Sequence, residues 1–221
     1  MKPKVGVILS GCGVYDGAEI HESVLTLLAL DRAGAEAVCL APNVAQKHVV
    51  NHLTGQPAAG ETRNVLVEAA RIARGAVKDL AGFDPAGLDA LVLPGGFGAA
   101  KNLCDFAFTG AECEVNPEVA RVIRAVHSSG KPVGAICIAP VILARLLGEE
   151  KPKLTIGSDP GTAAAIETMG GCHVACAGGA AVVDEGKRLV TTPAYMLDSP
   201  ISEVSAGIEK LVAELLRMLR G

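Results

Sequence analysis

Apolar residues run along this chain in short unbroken blocks, each followed by a turn and then by a stretch of helical periodicity. Residues 4–9 read as a buried strand. A loop holding Gly11, Gly13 and Gly17 then leads into a helix over about 19–32, with Ile20, Val24, Leu27 and Leu28 on its apolar face. Gly34 closes that helix. Further strands are predicted at 36–40, 89–93 and 132–136, and helices at 61–74, 117–127 and 138–147. The segment NHLTGQPAAG reads as a loop too polar to bury. A helix at 162–169, shorter strands at 172–176, 181–183 and 188–191, and a last helix at 201–219 complete the pattern. Strands that are apolar throughout and alternate with helices predict an α/β three-layer sandwich, a mostly parallel sheet with helices on both faces. No linker, repeat or composition break divides residues 1–221, so one domain is expected. In open α/β sheets ligands bind at the carboxyl ends of the strands, which directs attention to the residues just after each strand.

Composition narrows the function classes. Half the residues are hydrophobic, which excludes a disordered chain. The longest apolar stretch, 133–144, is interrupted by Gly134 and Pro140 and falls short of the ~18 residues of a membrane span, so no membrane partner is expected. A net charge of −4, with 3% aromatic residues and no Trp, offers neither a basic surface nor a stacking platform, so no nucleic-acid partner is expected. The apolar run in KPKVGVILSG is shorter than the core of a secretory signal, which leads to the expectation of a cytoplasmic protein. Seven cysteines, an odd number without paired CxxC spacing, read as free thiols and not as a disulfide framework or a structural zinc site.

One of those thiols stands in a chemically suggestive place. In GAICIAP, Cys137 is the first residue past the strand at 132–136, with a helix starting behind it and small residues, Ala135 and Ala139, two places to either side. A nucleophile held on a sharp strand-to-helix turn crowds those positions, so the spacing points to a nucleophile elbow. Unpaired amides and the dipole at a helix N-terminus favour the thiolate, so the Cys137 pKa is expected to fall below that of a free thiol. In LVLPGGFGAAKNL, Gly95, Gly96 and Gly98 strip side chains from the turn after the strand at 89–93. The amides of Gly96 and Ile138 are candidates for an oxyanion hole, in which one donor is worth about 3–4 kcal/mol. In GAEIHESV, Glu19 and Glu22 lie one turn apart, and such a carboxyl could share a proton with the thiol or act as general base; a helix-start acid also has a purely electrostatic reason to be there.

Other features carry less. SGCGVYDG has the spacing GxGxxxG, and the strand at 36–40 runs into Ala41 and Pro42 without the acid that would hold a ribose, so no dinucleotide is expected. Cys12 in that loop either lines the same cleft or packs. His48, His52, His127 and His173 lack metal-ligand spacing, so no metal is expected, and His21 points about 100° away from its neighbour Glu22. Gly95, Asn102, Arg63, Asn64, Ser158 and Asp159 are further candidates to line the cleft.

Taken together, SGCGVYDGAEIHESV, NHLTG, ETRNVLVEAARIARG, LVLPGGFGAAKNL, GAICIAP, LTIGSD and TTPAYMLD resemble the ElbB group over nearly the whole chain. These are amidotransferase-like isoprenoid biosynthesis proteins, in the superfamily of PfpI proteases, the Parkinson-disease deglycase and class I glutamine amidotransferases. The resemblance implies a flavodoxin-like fold, with Cys137 as nucleophile, Glu22 as the carboxyl approaching it, and Gly96 and Ile138 as oxyanion donors. It further implies a homodimer and a cofactor-independent glyoxalase III-like or deglycase reaction on a small 2-oxoaldehyde substrate such as glyoxal, giving glycolate. Ile138 stands where PfpI-type proteases have His, and no His-x-Glu pair near the C-terminus supplies a glutaminase triad. TIGSDPGT offers Ser158, Asp159 and Thr162 where the deglycase branch has a supporting His. A non-catalytic thiol redox sensor or metabolite-binding regulatory protein is the alternative from a different class, and an amidotransferase-like subunit completed by a partner is a third.

Overall fold

A computed structural model describes residues 2–220. The first half of the chain runs β1 (Lys4–Ile8), α1 (Ile20–Arg32), β2 (Glu36–Ala41), β3 (Val50–Asn51), β4 (Gln56–Pro57), α2 (Val65–Ile72), β5 (Val77–Asp79) and β6 (Ala90–Leu93). It continues through α3 (Phe106–Thr109), α4 (Pro117–Ser128), β7 (Val133–Ile136), α5 (Pro140–Leu147), β8 (Lys153–Leu154) and α6 (Pro160–Thr168). β9 (Cys172–His173), β10 (Val182–Asp184), β11 (Leu189–Thr192) and α7 (Ile201–Met218) close it. Seven strands form one sheet in the order β10-β11-β7-β6-β1-β2-β5, parallel except for β10, which runs antiparallel to β11. Strand order reverses beside β1: the chain first builds outward through β2 and β5, then returns to place β6 and β7 on the other side. The carboxyl ends of β1, β6 and β7 therefore meet at the switch point, where an open sheet leaves a crevice.

Side chains alternate across the sheet and build two cores. Leu91 and Leu93 point towards α4 and α5, joining Val119, Val122, Ile123, Ile142 and Leu143. Ala90 and Val92 point the other way, with Val5 and Val7, towards Ala29, Leu30, Ile208, Leu211 and Leu215 of α1 and α7. This is the expected α/β sandwich. Among the described residues no helix is long and apolar enough to cross a membrane.

Several elements differ from expectation, each for a local reason. The helix expected over 61–74 is α2 alone, because the Asn64 side chain accepts from Val67 N (3.1 Å) and sets its start, and Arg74, at φ +53, turns the chain away. The edge strand β5 has the sequence VKD and lacks the apolar run that identified the others. Within the segment read as a loop, β3 and β4 pair as a short hairpin. Of 172–176 only Cys172 and His173 are strand, paired with β8 outside the main sheet. The largest difference is in α1, whose buried face is Glu22, Ser23, Thr26, Ala29 and Leu30, while Ile20, Val24 and Leu28 are 43%, 48% and 39% exposed. Burying that polar face is tolerable because it is satisfied internally: Ser23 Oγ donates to the Glu19 carbonyl (2.6 Å) and Thr26 Oγ1 to the Glu22 carbonyl (2.7 Å).

Candidate active site

Between the end of β7 at Ile136 and the start of α5 at Pro140 only three residues reverse the chain. Cys137 takes φ +61, a left-handed conformation that costs a non-glycine residue energy and persists where its surroundings enforce it. The enforcement comes from both sides: Cys137 N donates to the Thr192 carbonyl (2.9 Å) at the end of β11, and Ala139 N donates to the Ile136 carbonyl (3.0 Å). Ala135 and Ala139 are fully buried against the bend. Pro140 stands in the first turn of α5, where its missing N–H costs no intrahelical bond. The nucleophile-elbow geometry is thus present.

The turn after β6 faces this bend closely. A Cβ on Gly95 would lie 2.5 Å from Cys137 Cβ and 2.8 Å from Glu22 Oε2, so only glycine fits there. Gly96 adopts φ +91, and its N–H, with that of Ile138, is directed at the Cys137 sulfur. Three backbone bonds lock this turn to the loop after β1: Glu19 N to the Gly95 carbonyl (2.9 Å), Phe97 N to that of Val14 (2.8 Å) and Gly98 N to that of Gly17 (2.9 Å). The loops after β1 and β6 are thereby joined, and the β7 bend packs against them at Gly95.

Glu22 reaches the platform from the first turn of α1. The Glu19 side chain caps that helix, accepting from Glu22 N at 2.6 Å, which fixes the turn from which Glu22 projects. Glu22 is 0% exposed; its Oε2 accepts from Gly95 N (2.9 Å) and its Oε1 from Tyr195 N (3.4 Å), and the carboxyl faces the Cys137 thiol. Burial, reinforced by the charge of Glu19, pushes the Glu22 pKa up to about 7, against the pull of the Cys137, Gly95 and Tyr195 contacts. Cys137, 7% exposed, is shifted the same way: burial and then the Glu22 charge raise its pKa well above that of a free thiol, and the Gly96 and Ile138 amides only partly offset them. The expected depression of this pKa is therefore wrong in sign, because desolvation and a neighbouring carboxylate outweigh a helix N-terminus. The pair holds a proton between sulfur and carboxyl, and its first deprotonation belongs to both groups.

A cavity of about 490 Å³ opens over Cys137, lined by Val14, Glu19, Gly96, Phe97, Ala100, Phe106, Ala107, Ile138, Asp159, Thr162, Tyr195 and Met196. Of the sequence candidates, Cys137, Glu19, Gly96, Ile138 and Asp159 line it, and Gly95 and Glu22 stand directly behind. The other candidates do other work. Cys12 is outside the lining, in the field of Glu68, Arg71, Asp16 and Arg63. Arg63 pairs with Glu61 and Glu68, and Asn64 caps α2 and donates to Asn43 Oδ1 (2.8 Å). Asn102 is a strut: its Nδ2 donates to the Ser10 and Asp16 carbonyls (2.9 Å each) and its Oδ1 accepts from Lys47 N (3.0 Å). Ser158 is exposed and outside the lining, whereas its neighbour Asp159 lies within it and caps α6 by accepting from Thr162 N (2.7 Å). Phe97, Phe106, Tyr195 and Met196 had no sequence signal as site residues. Tyr195 and Met196 follow β11 within TTPAYMLD, a carboxyl-end position that the switch-point rule could have flagged. All seven cysteines are free, and among the described residues no cluster of three or more His, Cys, Asp or Glu is arranged to hold a metal.

A family model for the DJ-1/PfpI family matches residues 12–195, a span that includes the elbow, the glycine turn and Glu22. The chain belongs to the DJ-1/PfpI family. It is 46% identical to the human glutamine amidotransferase-like class 1 domain-containing protein 3, mitochondrial, over 97% of this chain and 83% of that protein. It is 43% identical to the rat ES1 protein homolog, mitochondrial, over 98% and 84%. Among solved structures, an isoprenoid biosynthesis protein with amidotransferase-like domain from Ehrlichia chaffeensis superposes with a TM-score of 0.90 at 40% identity, covering 97% of this chain and 99% of that one. Glyoxalase III from Candida albicans shares the fold at a TM-score of 0.62 and 17% identity, covering 96% and 97%. The cytoplasmic placement expected from the N-terminal run does not stand, since both named relatives are mitochondrial proteins. A short apolar run argues against a secretory core alone, whereas mitochondrial leaders are amphipathic and Arg-rich.

Proposed function

We propose that this DJ-1/PfpI protein is a cofactor-independent, glyoxalase III-like enzyme that converts glyoxal or a related 2-oxoaldehyde to the 2-hydroxy acid, with Cys137 as nucleophile and Glu22 as proton carrier. The observation that supports this most is the buried Glu22 carboxyl, its pKa pushed up to about 7, held by the Gly95 N–H (2.9 Å) beside the Cys137 thiol. As sulfur bonds to the aldehyde carbon, the thiol proton passes to Glu22. The carbonyl oxygen becomes an oxyanion met by the Gly96 and Ile138 N–H groups. Return of the proton from Glu22 gives a hemithioacetal. Glu22 then removes the hydrogen of that carbon as a proton, the freed electron pair making an enediolate with the adjacent carbonyl; Glu22 returns that proton to the adjacent carbon while the hydroxyl proton moves to the adjacent oxygen, leaving a thioester beside an alcohol carbon. One carbon is oxidised and the other reduced, so no external electron acceptor is needed. Water hydrolyses the resulting thioester, breaking the C–S bond, releasing the 2-hydroxy acid and restoring the thiol.

The test is the production of glycolate from glyoxal by the purified protein without added metal or thiol, followed by proton NMR. A redox-sensor role would need a thiolate open to oxidants, and burial beside Glu22 keeps this sulfur a thiol. Rapid oxidation of Cys137 by hydrogen peroxide, with no turnover of any 2-oxoaldehyde, would reverse the choice.

We also propose that the protein is a homodimer joined through α1. Ile20, Val24 and Leu28, spaced four apart, form an outward apolar stripe on the helix that carries Glu22, and a second copy offers the matching stripe across a two-fold axis. Sedimentation of the parent chain is expected to give a dimer, and Val24→Glu a monomer. A monomeric parent would refute the assignment.

A further inference from the structure

We infer that the cavity over Cys137 is built for an uncharged carbonyl compound bearing an apolar substituent, such as an aryl or branched-alkyl 2-oxoaldehyde, and against carbonyl compounds carrying a carboxylate or phosphate. The reaction in which such a compound would be consumed is the one proposed above; the preference itself rests on the walls of the cavity. Size is the first argument. Glyoxal has four heavy atoms and fills the share of about two or three water molecules, about 60–90 Å³. The cavity encloses about 490 Å³, within the range of pockets that take much larger ligands.

The walls are the second argument. Away from the sulfur and its amides, the larger apolar side chains of the lining are those of Val14, Phe97, Phe106, Ile138 and Met196. Such a surface rewards an apolar group, and even one methylene in a fitted apolar pocket shifts kcat/KM about tenfold or more. The third argument is charge. The ionisable groups along the lining, besides Cys137 itself, are Glu19, Asp159 and Tyr195, and no Lys, Arg or His is among them. Burial first, and then the negative field of Glu19, raise the Tyr195 and Glu22 pKa values, and contacts with Thr162 hold the Asp159 carboxyl below its ordinary range and therefore ionised. Lys101, its Nζ 5.1 Å from the Phe97 ring centroid, is outside this lining, and its ammonium donates to the Tyr15 carbonyl (3.0 Å). An incoming carboxylate or phosphate thus meets like charge with no cation on the lining to pair with. The same field acts on the product, since an uncharged 2-oxoaldehyde leaves as a 2-hydroxy carboxylate anion.

The experiment compares kcat/KM for glyoxal, phenylglyoxal and 4-carboxyphenylglyoxal, the last two differing by one charge at nearly constant size. Phenylglyoxal is expected to exceed both others by about tenfold or more. Added salt is expected to narrow the gap between the two aryl substrates, since their difference is electrostatic. Phe106→Ala is expected to reduce the preference for phenylglyoxal over glyoxal, and Asp159→Asn, which keeps the helix cap, to reduce the discrimination against the carboxylate. Cys137-dependent turnover of glyoxal with no preference for the neutral aryl substrate would overturn the inference and leave the proposed reaction standing. If no 2-oxoaldehyde is turned over, the reaction fails and the preference is read by saturation-transfer NMR on Cys137→Ala. Binding of acetophenone in preference to 4-acetylbenzoate then supports the cavity's selectivity, and equal binding or none overturns it.

Discussion

Glyoxal turnover by a Cys137→Ser variant is expected to fall at least about a thousandfold, to the level of buffer alone, while its circular dichroism and melting temperature stay close to the parent's. The size of the loss follows from the proton inventory of the site. A thiol, even one whose pKa is raised by burial and by Glu22, is far more acidic than a serine hydroxyl in the same place. Glu22, near pKa 7, can accept the thiol proton as the C–S bond forms; asked to take a proton from an alcohol, it faces a much larger gap. Serine would also replace the thioester by an ester, which gives up its acyl group to water less readily. Structure is spared because the strain at φ +61 and the 2.9 Å bond from residue 137 N to the Thr192 carbonyl belong to the backbone. Cys12→Ser, outside the cavity lining, is the control and is expected to keep the parent rate. The check is glycolate by NMR against glyoxal consumed, and a serine variant retaining a tenth of the rate would remove Cys137 from the mechanism.

What could be read from residues alone divides along physical lines. Local sterics are legible: Ala135 and Ala139 flanking Cys137 announced the bend, and glycines at 95 and 96 announced a turn stripped of side chains, where a Cβ on Gly95 would strike Cys137 and Glu22 and one on Gly96 would strike Glu19 N and the Gly17 carbonyl. Strands such as ALVL and VGAI, buried on both faces, announced a parallel sheet, whereas the edge strand VKD did not. Periodicity failed on α1 because a helix delivering a carboxyl to the site must turn its polar side inward, and Ile20, Val24 and Leu28 follow to the outside. Long-range electrostatics were the least accessible. Nothing in GAICIAP says that a glutamate more than a hundred residues earlier stands beside the thiol and reverses the sign of its pKa shift. Asn102 and Asn64 were polar, near the right motifs and wrong for the cleft, because each satisfies backbone groups that a loop would otherwise bury unpaired. Phe106 was invisible because an apolar side chain carries no mark distinguishing a cavity wall from a core.

Glu22→Gln is expected to cost about a hundred- to ten-thousandfold in glyoxal turnover, the range for loss of a positioned general base, and to erase the pH dependence of the parent. In the parent, kcat/KM should rise with pH through about 7 as the Glu22–Cys137 pair gives up its first proton, since the carboxylate is the form that accepts from the thiol. Stability should move in the opposite direction. The Glu22 pKa is raised on folding, from an ordinary 4.5 to about 7, so the protonated carboxyl is the form the fold prefers. Its contribution is complete below pH 4.5 and is lost as pH rises towards 7, a change of about 3 kcal/mol at ~1.4 kcal/mol per pKa unit. The residue is fully buried, so solvent does not screen this difference away. Glutamine can still accept from Gly95 N with its amide oxygen and carries no charge to desolvate, so the variant should lack this fall. Urea denaturation of parent and variant at pH 5 and pH 8 checks the sign: the variant's stability relative to the parent should improve as pH rises. A difference between the two proteins that does not change with pH would mean that Glu22 is ionised at an ordinary pKa, and that the thiol has no base waiting beside it. Stability sacrificed above pH 7 by the same group that sets the rate is the trade expected of a catalytic carboxyl and is not expected of a structural one.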